Sequence, residues 1–296
     1  MTAALPPVPD RGLLADLCRE AAARESVQPY LVEKDYYLTR LLWALGSRFE
    51  DKLLLKGGTL LSKVDLGFFR MSEDADFVIP EAASTNRGAN MRRINVVRDA
   101  LTELEPLIGV KRSFPSGEDS DKGAHRLWAL AYPSEFGANS MQLEVSLRRC
   151  VRKPRRVRLS QLIEDPMLGD FTAANCWAVN ADEARAEKVR AAFTREAIRD
   201  FYDLDRIADT EADLTSTGFI SLVDVKLQEL GAPRFKDQVR PFGLTQQRRR
   251  ALDVGLKQEL AVVLRTNAPA FDLDKMLQRF EHLWDKTARR GARRPK

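Results

Sequence analysis

Two aspartates one residue apart, Asp74 and Asp76, are the feature of this sequence that points most directly to chemistry. They lie in SEDADFVIP (72–80), which predicts a strand closed by a proline. Successive side chains of a strand point to opposite faces, so both carboxylates face the same way, opposite to Ala75 and Phe77. Two like charges at this spacing repel each other, and a bound divalent cation removes that penalty. The pair therefore predicts a Mg²⁺ site, because Mg²⁺ is typically held by one or two carboxylates together with phosphate oxygens.

The paired glycines Gly57 and Gly58 suggest a phosphate site beside these carboxylates. They follow the apolar run DKLLLK, ending in Lys56, and precede TLLSKVDLGF, which predicts a helix with Thr59 near its start. Without Cβ atoms, glycine backbone can approach a ligand closely, and the N–H groups at a helix start bind anions, with the Thr59 hydroxyl as an added donor. Alone, paired glycines are ordinary turn chemistry and Asp-x-Asp is common on solvated surfaces. Together they favour metal-dependent phosphoryl or nucleotidyl transfer.

A third carboxylate, Glu144, lies in SMQLEVSLR (140–148), which also predicts a strand. Alternation places Glu144 opposite the apolar face formed by Leu143, Val145 and Leu147. There it either completes the metal site, or acts as a general base toward an attacking hydroxyl, or is an ordinary outward-facing glutamate.

The segment 182–209 predicts a helical arrangement of charged side chains. Lys188 and Arg195 are seven residues apart and fall on one helix stripe, where they would neutralise triphosphate charge. Taken alone, the segment is explained as well by ion pairs on a helix surface. The two histidines, His125 and His282, are isolated from any nucleophile or set of metal ligands, which predicts structural or surface roles.

The elements that must position these residues follow from periodicity. Residues 11–49 predict two helices broken near Pro29, and the charges at Glu33, Lys34 and Asp35 suit a first helical turn. Residues 89–107 predict a helix, 125–133 and 140–148 predict strands, and 181–209 and 218–285 predict helices only. We therefore expect an α/β domain over 1–165, followed by an all-helical domain over 166–296 that ends in a basic tail.

Composition excludes several classes of protein. The chain has 296 residues, 44% of them hydrophobic, with ordinary glycine and proline content, which excludes collagen-like, disulfide-scaffold and wholly disordered chains. Three widely spaced cysteines argue against a disulfide framework or a zinc site. The chain shows no signal peptide and no apolar span long enough for a membrane helix, so a cytoplasmic protein without a membrane partner is expected.

The net charge of +5 is small but unevenly distributed. Residues 148–158 (RRCVRKPRRVR) and 287–296 (TARRGARRPK) are basic without an acidic residue. Both segments suit a polyanion such as nucleic acid, and a solvated hinge and tail would show the same charge.

Five motifs together resemble one family, the AbiEii-type nucleotidyltransferases, which include the MenT-like toxins of type IV toxin–antitoxin systems. The motifs occur in the family's order over residues 32–204. They are VEKDYYLTRLL (32–42), KGGT with RMSEDADF (56–59 and 70–77), LEVS (143–146), AEKVRA (186–191) and RDFYDL (199–204).

The resemblance implies an α+β protein, with a polymerase-β-like nucleotidyltransferase domain built on a mixed sheet and an all-helical C-terminal domain. It also implies Mg²⁺ as cofactor and an NTP as donor. The implied triphosphate-binding residues are Gly58 and Thr59, with Arg70 and Ser72 fixing the cradle or touching a phosphate. Asp74 and Asp76 are the implied metal ligands. Lys188 is an implied phosphate contact, Glu144 occupies the third carboxylate position, and either Asp203 or Asp200 matches the acidic position of the last motif, with the spacing favouring Asp203.

The implied function is transfer of a nucleoside monophosphate to the 3′ acceptor end of tRNA, which blocks aminoacylation and halts translation. Under this interpretation the basic segments contact an RNA backbone, and a cognate antitoxin is a partner. Two alternatives stay open: the same transfer onto a protein or small-molecule hydroxyl, and a non-catalytic nucleic-acid-binding relative. The intact glycines and aspartates argue against the last.

Overall fold

The computed structural model describes residues 5–114, 117–137, 139–163, 176–235 and 244–292, with the backbone alone for 284–292. Its described part is an α+β protein with a mixed sheet, as the sequence predicts. The helices are α1 (Arg11–Glu25), α2 (Pro29–Phe49), α3 (Gly57–Leu60), α4 (Arg87–Ile108), α5 (Ala181–Thr194), α6 (Ile198–Ala208), α7 (Thr217–Gln228), α8 (Gln246–Gly255) and α9 (Leu273–Ala292).

Eight described strands form one sheet. They are β1 (Leu54–Leu55), β2 (Asp74–Ile79), β3 (Lys111–Arg112), β4 (Glu118–Ser120), β5 (His125–Tyr132), β6 (Asn139–Leu147), β7 (Arg155–Val157) and β8 (Cys176–Ala178). Their order is β3-β5-β6-β2-β1-β8-β7, with β4 also paired to β5. The pairs β2–β6 and β1–β8 are parallel and the others are antiparallel. This order places β2, which carries both aspartates, in the middle of the sheet.

Residue contacts divide the chain into two compact units. The first comprises Met1–Asn180 and Val263–Ala268, and the second comprises Ala181–Val262 and Pro269–Lys296. The first contains the sheet with α1 to α4, and in the described part of the second the regular elements are helical. The first unit extends beyond the expected division at 165, because β8 pairs with β1 and so belongs to the sheet.

The core of the first unit forms where α2 covers one face of the sheet. Leu38, Leu41, Leu42 and Leu45 recur at helical spacing and are all fully buried. Ala75 and Phe77 of β2 are equally buried, as expected for the face opposite the aspartates. Burial of each such leucine stabilises the folded state by about 1.5–3 kcal/mol relative to an exposed leucine. The helix α2 is therefore stably packed against this face of the sheet.

The helix break near Pro29 occurs as predicted. Ser26, with φ 54°, follows α1 in the left-handed conformation, and Pro29 is the first residue of α2. Proline suits this position because the first helical residues have no intrahelical acceptor for their N–H groups.

A short segment late in the chain, Val263–Ala268, completes the first unit. The Met71 N–H donates to the Val263 carbonyl at 2.7 Å, and the Arg265 N–H donates to the Phe69 carbonyl at 3.0 Å. The Thr266 N–H donates to the Glu25 carbonyl at 2.9 Å. These bonds tie the segment to the end of α1 and to the residues that lead into β2.

None of the described helices combines the length and the apolar character that crossing a membrane would require.

Candidate functional site

The two aspartates lie on the open face of β2, where alternation places them. Asp74 is exposed and Asp76 is half-buried, while the intervening Ala75 is fully buried. On the parallel neighbour β6, Gln142 stands beside Asp74 and Glu144 beside Asp76. The three carboxylates predicted from sequence therefore occupy one face of two adjacent strands.

Gly57 lies directly against Asp76. It has φ +72°, a conformation that L side chains rarely adopt, and a Cβ atom there would stand 2.1 Å from Asp76 Oδ2. The preceding backbone is fixed to the same residue, because the Lys56 N–H donates to the Asp76 carbonyl at 2.9 Å. Only glycine allows the turn and this carboxylate to be so close.

Gly58 lies against Arg70 in the same way. A Cβ atom on Gly58 would stand 2.8 Å from Arg70 Nη2. Arg70 is 4% exposed, and its Nη1 donates to the Met71 carbonyl at 3.0 Å. A fixed guanidinium thus lies beside the start of α3, which the side chain of Lys56 does not cap. Backbone N–H groups and a buried cation together form a site suited to phosphate.

Thr59 and Ser72 hold the turn against β2. Their hydroxyls are 2.7 Å apart, and the Thr59 hydroxyl also donates to the Asp74 carbonyl. Both side chains are buried. In this structure the Thr59 hydroxyl therefore has partners within the protein, and its binding to a triphosphate remains a prediction from the resemblance.

Glu144 is bound by two neighbouring side chains. Its Oε1 lies 3.1 Å from Lys56 Nζ and 3.4 Å from His125 Nε2. Burial of Glu144 opposes its charge, but the hydrogen bond from His125 and the charge of Lys56 outweigh burial, so the pKa of Glu144 lies below its ordinary value. A carboxylate held as an anion in this way is a weak proton acceptor, which disfavours the general-base role considered for it.

Asp74 and Asp76 fit a Mg²⁺ ion, because hard oxygen donors on one strand face leave its other positions to water and phosphate. Among the described residues, no group of three or more histidine, cysteine, aspartate or glutamate side chains is placed to hold a metal ion. A two-carboxylate set is what Mg²⁺ uses when phosphates complete its coordination.

The second unit contains a compact charged cluster around Lys188 of α5. Its ammonium lies 2.7 Å from Asp200 Oδ1 and 2.8 Å from Asp203 Oδ2, both on α6. All three side chains are buried, so this is an internal cluster rather than the surface ion pairs that the segment alone favoured. The distances do not separate Asp200 from Asp203, since Lys188 contacts both.

Arg195 follows the last residue of α5 and contacts the same cluster. Its Nε lies 3.5 Å from Asp200 Oδ2, and its side chain is 60% exposed. Both cations thus contact Asp200, although Arg195 lies beyond the end of α5 and not on the helix stripe predicted for it.

The structure thus brings the predicted residues together in two groups, one in each unit. The first unit holds Lys56, Gly57, Gly58, Thr59, Arg70, Ser72, Asp74, Asp76 and Glu144. The second unit holds Lys188, Arg195, Asp200 and Asp203.

His125 also lies at this site, although it is isolated from the other site residues in the sequence. It is the first residue of β5, and antiparallel pairing with β6 sets Leu127 opposite Glu144, so His125 shares the face of Glu144. Alternation along β5 puts His125 and Leu127 on one face, but only the pairing of the strands shows that Glu144 lies on it.

The basic run 148–158 is partly structural. Arg155 begins β7, and its Nη2 binds both carboxylate oxygens of Asp65 at 2.7 and 2.6 Å. Arg156 lies over the ring of Trp177. In the C-terminal basic segment, the backbone of α9 is helical to Ala292, and residues 293–296 lie outside the described residues.

Comparison with solved structures gives a whole-chain likeness. MenT4, a nucleotidyltransferase toxin from Mycobacterium tuberculosis, matches with a TM-score of 0.59 and 19% identity over 95% of this chain and 99% of that one. JHP933 from Helicobacter pylori matches with a TM-score of 0.46 and 14% identity over 96% of this chain and 94% of that one. No curated protein sequence matches significantly.

The family model described as nucleotidyl transferase AbiEii toxin, type IV TA system, matches residues 40–286. That range takes in the glycine turn, the paired aspartates and the Lys188 cluster, and it covers most of the chain. The protein therefore belongs to the AbiEii nucleotidyltransferase toxin family of type IV toxin–antitoxin systems.

Proposed function

We propose that this toxin is a Mg²⁺-dependent enzyme that transfers a nucleoside monophosphate from an NTP to the 3′-hydroxyl of tRNA, in the cytoplasm and under the control of a cognate antitoxin. The observation that carries the proposal is the contact of Gly57 with Asp76, where a Cβ atom would stand 2.1 Å from the carboxylate. A phosphate-binding turn and a metal-binding carboxylate have to meet in this way for nucleotidyl transfer.

In this proposal the residues of the first unit bind the nucleotide. Asp74 and Asp76 would hold Mg²⁺, and the bound ion would supply positive charge that offsets the negative charge of the triphosphate and of the pyrophosphate leaving group. The N–H groups at the start of α3 face the triphosphate, and the Arg70 guanidinium adds positive charge beside Gly58. The fixed position of Arg70, buried and bonded to the Met71 carbonyl, supports this role because it needs no rearrangement on binding.

We include Lys188, Arg195 and Asp203 because of the family resemblance and because Lys188 contacts Asp203 and shares Asp200 with Arg195. Asp200 and Asp203 hold the Lys188 ammonium in one place. A lysine so fixed is a suitable phosphate contact, because its flexible side chain loses little further freedom on binding. Asp203 is a positioning residue for Lys188 in this scheme, and Arg195, which is more exposed, adds positive charge.

A tRNA acceptor is proposed because RNA suits the basic run. Several of its arginines and Lys153 are exposed, which suits contacts to a phosphate backbone. The same chemistry on a protein or small-molecule hydroxyl would need no such surface.

The direct test incubates the purified protein with Mg²⁺, total tRNA and each α-labelled NTP in turn, and resolves the products by size. We expect label to enter the tRNA band with one or more NTPs and only when Mg²⁺ is present. Oxidising the tRNA 3′ terminus with periodate removes the acceptor hydroxyl, so label incorporation should then stop.

Asp76→Asn is the matched variant for this assay, because it keeps the size of the side chain and removes its charge. We expect transfer to fall by at least about a hundredfold, since a metal ligand supplies several kcal/mol to the transition state. Asp51→Asn, at an exposed position away from the site, should transfer at the rate of the parent. Expression of the parent should arrest growth, and Asp76→Asn should relieve the arrest.

Three results would contradict the proposal. Label on lysate protein or on a small molecule instead of tRNA would favour another acceptor. The absence of Mg²⁺-dependent NTP binding in calorimetry would favour the non-catalytic alternative. An Asp76→Asn protein as active as the parent would exclude the assigned metal ligand.

A further inference from the structure

Three side chains from three strand regions of the first unit meet beside the paired aspartates. Glu144 of β6 receives Lys56 from the end of β1 and His125 from the start of β5, both on its Oε1 atom. The second ring nitrogen of His125, Nδ1, lies 2.9 Å from the Ser120 hydroxyl on β4. These contacts form a polar network that runs from Ser120 through His125 and Glu144 to Lys56.

The orientation of the His125 ring follows from this polar network. A serine hydroxyl that donates to Nδ1 leaves the ring hydrogen on Nε2, which faces Glu144. His125 then acts as a donor to the carboxylate and is itself oriented by β4. Pairing of Ser120 with His125 across β4 and β5 holds both residues in place.

Lys56 is held at both ends. Its backbone N–H donates to the Asp76 carbonyl, and its ammonium binds Glu144, with 9% of the side chain exposed. Lysine has a flexible stem of four carbons, so without a fixed acceptor its ammonium would occupy many positions. Glu144 selects one of them, immediately before the glycine turn.

Among the described residues, no group of three or more histidine, cysteine, aspartate or glutamate side chains is placed to hold one metal ion, so Glu144 does not join Asp74 and Asp76 as a third ligand. Its Oε1 atom lies 3.1 Å from the Lys56 ammonium and 3.4 Å from His125 Nε2, so a lysine and a histidine converge on one carboxylate oxygen. This arrangement is the one expected for a carboxylate that orients a cation.

We propose that Glu144 and His125 are positioning residues, with His125 holding Glu144 and Glu144 holding the Lys56 ammonium at the edge of the glycine turn, where it meets the NTP triphosphate. The identity of the ligand as an NTP rests on the proposed function. The inference goes beyond it by giving His125 a role and by removing Glu144 from the metal site and from proton transfer.

The experiment applies two assays to each variant, in the full-length protein. Calorimetry with each of the four ribonucleoside triphosphates and Mg²⁺, without acceptor, gives Kd, and the tRNA assay gives kcat and KM. The variants are Glu144→Gln, His125→Phe, both together, and His125→Gln, whose amide can still donate to Glu144. His282→Phe, at the other histidine of the chain, is the control.

We expect Glu144→Gln to weaken NTP binding about tenfold, the effect of losing one charge-assisted hydrogen bond, with kcat within about threefold of the parent. His125→Phe should weaken binding by a smaller factor, and His125→Gln should restore it. The double variant should be no weaker than Glu144→Gln alone, because His125 acts only through Glu144. The Mg²⁺ concentration for half-maximal rate should stay unchanged.

A fall in kcat of a hundredfold or more in Glu144→Gln, or a large rise in its Mg²⁺ requirement, would overturn the inference in favour of a base or a metal ligand. Additive effects of the two substitutions would also overturn it. If the parent binds NTP but modifies no tRNA, the proposed acceptor fails while the Kd comparison still decides this inference. If the parent binds no NTP, both fail. Unchanged thermal midpoints among the variants show that the fold is intact.

Discussion

At the scale of single residues, the site depends on a glycine, which has no side chain, as much as on its carboxylates. Gly57 combines a positive φ with a position against Asp76 that no Cβ atom can share. Gly58 has a milder constraint, because its nearest neighbour is the far end of the Arg70 side chain. The glycine turn and Asp76 are therefore packed directly against each other.

Gly57→Ala should reduce both transfer activity and stability. The added Cβ atom displaces the Asp76 carboxylate, and the left-handed backbone costs about 1–3 kcal/mol for a residue other than glycine. We expect transfer to fall at least about tenfold, measured as kcat/KM in the tRNA assay.

Gly231→Ala is the matched control for this substitution. Gly231 has φ +67°, close to that of Gly57, but among the described residues no atom beyond its chain neighbours lies within 4 Å of the point where a Cβ would stand. It should therefore show the backbone cost in a thermal unfolding curve and keep its activity. Equal loss of activity in both variants would show that the contact with Asp76 does not matter.

At the scale of elements, the glycine turn is anchored through the residues that follow it. The π-helical segment Leu61–Asp65 continues α3, and three of its side chains bind other parts of the first unit. Ser62 donates to the Arg70 carbonyl at 2.5 Å, and Asp65 binds Arg155 of β7. Lys63 lies 2.5 Å from Asp35 of α2. Each contact ties the short helix to a different part of the first unit.

The Lys63–Asp35 ion pair is almost wholly buried, with side chains 0% and 2% exposed. Burial lowers the pKa of Lys63 and raises that of Asp35, and the attraction between the two charges opposes both shifts. The charges at Glu33, Lys34 and Asp35 are expected from the sequence in the first turn of a helix, but α2 begins at Pro29 and has no acidic residue in its first turn, and Glu33 and Asp35 are both buried.

Lys63→Met should destabilise the protein by about 3–5 kcal/mol, because it leaves Asp35 buried without its counter-charge. Adding Asp35→Asn should recover part of that loss, since it removes the unpaired charge. Urea unfolding midpoints measure both effects.

Asp16→Asn serves as the comparison for an exposed pair. Asp16 and Arg19 on α1 form an ion pair whose side chains are 78% and 56% exposed, so its loss should cost no more than about 1 kcal/mol. An equally small effect for Lys63→Met would mean that the buried pair does not anchor the turn.

At the scale of the whole molecule, the chain passes from one unit to the other three times, after Asn180, Val262 and Ala268. The returning segment Val263–Ala268 contributes Arg265 to the first unit. Arg265 Nη2 lies 2.6 Å from Glu25 Oε2, and its Nη1 donates to the Phe68 carbonyl at 2.6 Å. A residue far along the sequence thus supports the end of α1.

Arg265→Leu should destabilise the protein by about 1–3 kcal/mol near neutral pH, the usual effect of losing hydrogen bonds to a charged group. Burial opposes the charge of Glu25, but hydrogen bonds from Arg265 and Arg24 outweigh it and lower the pKa of Glu25 below its ordinary 4.5. A lowered pKa in the folded state stabilises the protein above 4.5, and this contribution is lost as the pH falls through the lowered value.

The difference in unfolding midpoint between parent and Arg265→Leu should therefore shrink in acid. Urea titrations near neutral pH and at about pH 3 measure it. A difference that stays constant over this range would show that the Glu25 charge does not contribute.

Much of the first unit follows from sequence periodicity, because alternation in β2 and β6 already separates the buried side chains from Asp74, Asp76 and Glu144. The short strands β7 and β8 do not follow from it. Three residues are too few to show a period, and the pairing of Cys176–Ala178 with β1 depends on a partner distant in the chain.

The amino-acid sequence by itself determined the family, the order of the main elements and the residue types of the site, because these depend on local spacing. Only the tertiary structure decided which groups meet: His125 with Glu144, Lys63 with Asp35, and Lys188 with both Asp200 and Asp203. Such contacts join residues distant in sequence, and their geometry depends on strand register and helix packing, which no local pattern contains.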